Sequence, residues 1–354
     1  LHSFPTRRSS DLEPAGASTL IRGNYVAVNN SGIRGDSPGA GAVIAYNEVA
    51  RPSVGHGNTF DGILIINTAT NAQIANNLAR DQRGGGIEIG FGSGTMSNVT
   101  ITNNTARNNG YDSGATASSE PIGIAAYGYT GSGVIISRNR IENNAGPGLL
   151  IMAASGTRAT LNSFSGNGGL AIDLDPNTRD PNGLGAPQGV TLNDSGDADS
   201  GPNGLLNFPV ISAATVVNGE LSLAGFARPG STIELYLAQA DPSGFGEGLT
   251  YVTTLTEGSS DLDAGTGSYS GPVNGVNQGT DTTNRFLFRG PVPAGIAAGV
   301  VLTSTATLGG QTSEFGGNVT VSSGPNLTQL KSVVAYSAGS RSEERRVGKA
   351  CRSR

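Results

Sequence analysis

The residues best placed to do chemistry are carboxylates and phenols set into short apolar runs. Glu88 lies within Gly86-Ile-Glu-Ile89, Tyr127 and Tyr129 follow Gly123-Ile-Ala-Ala126, and Asp173 and Asp175 follow Gly169-Leu-Ala-Ile172. Alternation at period two points Ile87 and Ile89, Leu149 and Ile151, and Leu170 and Ile172 to one side. Glu88, Tyr127, Tyr129, Asp173 and Asp175 then take the outward positions. A carboxylate pair flanked by aromatic rings can grip a sugar polymer and cleave it. Against cleavage, no Asp pair recurs on neighbouring repeats, so these five are candidates for glycan binding and no residue is assigned a catalytic role.

A second constellation falls in the loop-rich acidic stretch Asn193-Asp-Ser-Gly-Asp-Ala-Asp-Ser-Gly-Pro-Asn203. Asp194, Asp197, Asp199 and Asn203 offer oxygen ligands at short spacing, which suits Ca²⁺ better than a transition metal. The same letters also make a solvated run of Asx turns, and the EF-hand spacing with its terminal Glu is not matched. His56 sits in the loop Pro52-Ser-Val-Gly-His-Gly57 with no nucleophile pattern beside it, so it reads as a surface residue. Gly90-Phe-Gly-Ser-Gly94 is followed by neither a helix pattern nor Lys-Ser/Thr, so it reads as a turn.

The elements that must position these groups are repeats. Ile101-Thr-Asn-Asn104-Thr-Ala106-Arg-Asn108 returns as Ile136-Ser-Arg-Asn139-Arg-Ile141-Glu-Asn143 and as Ala159-Thr-Leu-Asn162-Ser-Phe164-Ser-Gly166. The same frame runs upstream, aligning Asn24, Asn47, Asn77, Asn104, Asn139 and Asn162 at spacings of 23, 30, 27, 35 and 23. A period near 23 with insertions predicts stacked coils. Asn tolerates a left-handed backbone, so each is expected at a corner between short strands. Coils stacked at about 4.8 Å would then bring the side-chain amides into a ladder.

On these phrases, residues 18 to 175 resemble the right-handed parallel β-helix repeats of bacterial secreted and cell-surface proteins, which include pectate-lyase-like enzymes and adhesin passengers. The resemblance implies architecture more than activity. Its enzymes use surface carboxylates with Ca²⁺ or paired Asp groups on one sheet face, and no catalytic motif carries over residue by residue.

The ends read differently. His2-Ser-Phe-Pro-Thr-Arg-Arg-Ser-Ser-Asp-Leu12 is encoded by a DNA whose reverse complement gives Arg-Ser-Glu-Glu-Arg-Arg-Val-Gly-Lys-Glu, and Arg341 to Lys349 match that peptide. Residues 1–12 and 341–354 therefore resemble translated sequencing-adapter DNA and are set aside. The whole chain has 22 basic and 27 acidic residues. Without the ends, 14 basic face 24 acidic, which argues against nucleic acid or anionic membrane as a partner. The single Cys, Cys351, lies in an excluded end, so no disulfide or Cys-based metal site is expected. High Gly, Asn, Ser and Thr with one Lys outside the ends suits an extracellular bacterial β-protein.

The expected organisation is all-β: a right-handed parallel β-helix over 13–175, an acidic bridge over 176–207, an Ig-like β-sandwich over 208–323 and a linker or further segment over 324–340. The sandwich strands are expected at Val210–Val217, Glu220–Ala227, Ser231–Ala238, Leu249–Leu255, Ser268–Pro272, Arg285–Phe288, Val300–Thr307 and Asn318–Val321. Ala227-Arg-Pro-Gly-Ser-Thr-Ile-Glu-Leu-Tyr236 resembles bacterial Ig-like repeats. The expected role is a non-catalytic adhesive or structural scaffold of a secreted or cell-surface bacterial protein, with an extracellular glycan as the candidate partner and the second domain as spacer or contact module. The alternative is a polysaccharide lyase or glycoside hydrolase working along the solenoid groove. The first coil's edge is expected to be open, favouring association.

Overall fold

The computed structural model describes residues 19–27, 32–50, 61–90, 92, 94–110, 121–176, 189–239 and 241–324. Residues 1–18, His56 with its loop, nearly all of the Tyr111–Pro121 insertion and the stretch after Gly324 lie outside these residues.

The repeats wind into a parallel solenoid with three six-stranded sheets. The first holds Leu20–Arg22, Val43–Ala45, Gln73–Ala75, Thr100–Thr102, Val134–Ser137 and Thr157–Thr160, stacked in chain order. The second holds Tyr25–Val26, Glu48–Ala50, Leu78–Arg80, Thr105–Arg107, Arg140–Glu142 and Ser163–Ser165. The third holds Ile33–Asp36, Ile63–Ile66, Ile87–Gly90, Ile124–Tyr127, Leu149–Met152 and Ile172–Asp175. A short fourth sheet joins Ala69–Thr70, Thr95–Ser97 and Thr130–Ser132.

The register explains the repeated aliphatic residues. Ile101 pairs with Ile74 on one side and Ile136 on the other, and all three are at most 1% exposed. Each such side chain stabilises the stack by about 1.5–3 kcal/mol on full burial. Phe164 fills the same inward place in the second sheet that Ile141 fills one coil earlier.

Beyond the solenoid, two antiparallel five-stranded sheets pack over one core. One contains Thr266–Val273, Val276–Pro291, Glu220–Ala227, Val210–Val217 and the short parallel strand Ser322–Ser323. The other contains Gly248–Thr256, Thr232–Ala238, Val301–Leu308, Gln311–Thr312 and Val319–Thr320. Ile211, Leu223 and Phe286 from the first meet Ile233, Leu235 and Leu302 from the second. Most strand positions agree with the sequence reading. The exception is the expected Arg285–Phe288 strand, which is part of a 16-residue strand spanning Val276–Pro291.

This C-terminal β-region closes the last coil. Thr157–Thr160 is a sheet edge, and its free backbone groups need partners. Thr157 N–H donates to Asn203 Oδ1 at 3.0 Å, and Asn203 Nδ2 donates back to Thr157 O at 2.7 Å. Ala159 N–H donates to Thr312 Oγ1 at 3.0 Å, and that hydroxyl donates to Ala159 O at 3.1 Å. Leu161 N–H donates to Glu234 Oε2 at 2.9 Å. Every second amide along the edge is thus met by a side chain that stands in for a missing strand. Phe315 packs edge-on to Phe164 with ring centroids 5.7 Å apart, continuing the solenoid core into the second region.

Candidate functional site

The amide ladder forms as the repeat spacing predicts. From Asn24 to Asn139, each Asn donates its Nδ2 to the Oδ1 of the Asn on the next coil, at 2.9–3.0 Å. Backbone N–H groups of the same residues donate to the same oxygens. Asn47, Asn77, Asn104, Asn139 and Asn162 are 1–2% exposed.

One detail is corrected. The left-handed residue is not the ladder Asn but the one before it: Gly23, Tyr46, Asn76, Asn103, Arg138 and Leu161 all have φ between 54 and 69°. The chain turns there, and the next side chain is thrown inward to the amide column. Arg138 therefore holds a corner as well as facing solvent.

A second ladder escaped the sequence reading. Gln82 N–H donates to Asn109 Oδ1 at 3.1 Å, Asn109 Nδ2 to Asn144 Oδ1 at 2.8 Å, and Asn144 Nδ2 to Asn167 Oδ1 at 2.9 Å. Asn167 donates both N–H and Nδ2 to Glu247 Oε1, at 3.0 and 2.7 Å, so a carboxylate from the C-terminal region ends the column. The repeated Asn108 and Asn143 drew attention instead, and these are the left-handed corners preceding the ladder.

The glycan candidates separate in space. Glu88 and Asp173 both lie on the outer face of the third sheet, in one register column through Ala125 and Leu150. Three strand steps at about 4.8 Å put them roughly 14 Å apart, too far to work as a pair on one glycosidic bond. Tyr127 is outward in a small patch with Ile122, Ala125 and Leu150, and is 4% exposed. Tyr129 does not face outward. Gly128, with φ 45°, breaks the alternation, so Tyr129 turns into the solenoid core and its hydroxyl meets Thr157 Oγ1. Burial pushes its phenol up to about 12.

Asp173 and Asp175 do share one face, two residues apart on the last coil. The strand starts at Ile172, so Ile172 and Leu174 point inward. Leu170, expected inside, packs instead with Phe208, Val210 and Phe245. Ala171 takes the place filled by Gly86, Gly123 and Gly148 in earlier coils. There a Cβ would lie 2.6 to 2.8 Å from the backbone oxygen of the next coil, and Ala171 has no such coil above it. Burial, with the negative charge of Asp175 beside it, raises Asp173 to about 7.

The acidic stretch gathers Asp194, Asp197 and Asp199, one carboxylate oxygen of each lying within 4.8 Å of the others. Asp194 accepts from Ala198 N–H, and Asp197 Oδ1 accepts from Asn207 N–H at 2.7 Å. Asp199 Oδ1 is buried without a hydrogen-bond partner. Burial first, then Asp194 and Asp197, raises Asp199 to about 6. These three could hold Ca²⁺. Asn203, the fourth expected ligand, is engaged at the solenoid edge, where its Oδ1 accepts from Thr157 N–H and its Nδ2 donates to Thr157 O and Thr312 O.

Residues 53–184 match the right handed beta helix region family. The matched segment and the stacked parallel sheets fit a right-handed β-helix. Among solved structures, the Dettilon tailspike protein is similar at 13% identity and TM-score 0.26, covering 84% of this chain and 70% of its own. Tailspike protein 2 of Escherichia coli O157:H7 bacteriophage CAB120 is similar at 11% identity and TM-score 0.21, covering 84% of this chain and 57% of its own. No curated protein matches the chain.

Proposed function

We propose that the chain is a non-catalytic scaffold of a secreted or cell-surface bacterial protein, in which the β-helix offers a polar face to an extended extracellular glycan. The observation that carries this reading is where the polar groups lie. Glu88, Asp173 and Asp175 are only 3–7% exposed. The exposed fourth sheet carries hydroxyls in register: Thr95 Oγ1 lies 3.2 Å from Thr130 Oγ1, and Ser97 pairs with Thr70 and Ser132. Rows of hydroxyls repeating at about 4.8 Å suit the hydroxyl-rich flank of a polysaccharide and offer no acid or base. No helix among the described residues is long and apolar enough to cross a membrane. The C-terminal β-region is read as Ig-like, with the Asp194, Asp197 and Asp199 cluster as a candidate Ca²⁺ site.

A glycan array paired with a product assay tests the reading. The chain is expected to retain an extended polysaccharide and release no new reducing or unsaturated ends. The double variant T95A/T130A is expected to lose retention at least several-fold. Product release would instead favour a polysaccharide lyase or glycoside hydrolase, a reading that draws on the Asp173 and Asp175 pair, two residues apart on one face of the last coil.

A further inference from the structure

We propose that Asp173 and Glu314, with Asp175 as a third charge, form a proton-controlled latch that fastens the last solenoid coil to the C-terminal β-region. The geometry is that of a shared junction. Leu174 N–H donates to Glu314 Oε1 at 2.9 Å, and Thr191 N–H, on the far side of the connecting stretch, donates to Glu314 Oε2 at 2.8 Å. One carboxylate from the strand-connecting segment of the C-terminal region thus ties the last strand to the chain that leaves it. Leu174 lies between Asp173 and Asp175, so the three acids converge on one short run of backbone.

The site is closed to water. Glu314 is 2% exposed and Asp173 4%, and Asp173 Oδ1 is buried with no hydrogen-bond partner. Among the described residues, no ion pair reaches Asp173 or Glu314. Among the described residues, the negative charge of Asp175, on the same strand, acts on both and raises both. The residues in register on the neighbouring strand, Leu150 and Met152, are uncharged. The other junction carboxylates, Glu234 and Glu247, serve Leu161 and Asn167 at different corners.

Two buried acids with no ion pair among the described residues are held most cheaply with protons on them. Burial raises Glu314 to about 8, helped by the charges of Asp173 and Asp175, while its two amide donors oppose the shift. Asp173 is raised to about 7 for the same first reason. Both folded values stand above the unfolded ones of about 4. Their contribution to docking is therefore fully present in acid and lost as pH climbs through about 7 and then about 8. A protonated Asp173 also gains an O–H that can donate to a neighbouring carboxylate, which the ionised form cannot.

Amide hydrogen exchange on the intact chain at pH 5 and pH 8.5, corrected for intrinsic rates, tests the latch. Protection at Leu174 and Thr191 is expected to fall at least tenfold at the higher pH. The variant D173N, which keeps the shape and removes one of the two titrating charges, is expected to lose part of that fall, the remainder belonging to Glu314. Equal protection at both pH values in the wild-type chain, or a full wild-type response in D173N, would overturn the proposal. Should D173N fail to fold, carboxyl carbon NMR on the wild-type chain decides it. Asp173 and Glu314 titrating above pH 6 supports the latch, and titration of both near pH 4 ends it.

Discussion

At the scale of single residues, the corner of each coil divides two tasks between two neighbours. One residue accepts the left-handed turn, and the next buries an amide. Asn104 accepts from Asn77 N–H and Nδ2 and donates to Ile74 O and Asn139 Oδ1, so N104A leaves several buried groups unmet. It is expected to destabilise by about 2–4 kcal/mol in a denaturant titration. By contrast R138G, at φ 54°, is expected to gain roughly 0.5 kcal/mol, because glycine removes the left-handed cost while adding some unfolded-state entropy. The amide column was legible in the sequence because the same residue type recurs in the same frame. The turning residue was not, because tertiary stacking forces Tyr46, Arg138 and Leu161 into a conformation their types do not advertise. The same scale holds the cation question. Millimolar Ca²⁺ is expected to raise the melting temperature of the wild-type chain and leave D199N unchanged, as read by differential scanning calorimetry.

At the scale of elements, strand pitch sets which glycines are irreplaceable. A Cβ on Gly131 would fall 2.1 Å from Met96 O, across the fourth sheet, at φ 122°. G131A is therefore expected to break the pairing of Thr130–Ser132 with Thr95–Ser97 and to weaken glycan retention, whereas an alanine at the open corner Gly23 meets no atom within 4 Å. Period-two alternation located the third sheet correctly at Ile87 and Leu149 but slipped at Leu170. The slip has a physical source: Gly169 imitates the glycine that precedes earlier strands, while the true marker is the buried amide five residues before each strand, Gln82, Asn144 and Asn167. Similarly, the strand expected at Arg285–Phe288 runs from Val276 to Pro291 and passes through Gly279 without a break. That glycine bridges to Asn193, and a Cβ there would lie 2.0 Å from Asn193 O.

At the scale of the whole molecule, the two halves are one folded unit in which a stack of coils is finished by side chains from elsewhere. Asn203, Glu234, Glu247, Thr312 and Glu314 replace the coil that would come next. Nothing periodic marks these five, so no reading of repeats could find them. Truncating Glu247 by E247A strands two donors of Asn167 and is expected to destabilise the chain by about 2–3 kcal/mol, measured by chemical denaturation, with the loss greatest for the last coil. The most direct test of this closure is native-state hydrogen exchange at Thr157, Ala159, Leu161 and Asn167, whose N–H groups meet acceptors only from the C-terminal region. The account predicts protection comparable to that of Ile101 and Ile136 in the middle of the stack. Exchange at these four amides near the rate of an unstructured peptide, with the central coils still protected, would contradict it.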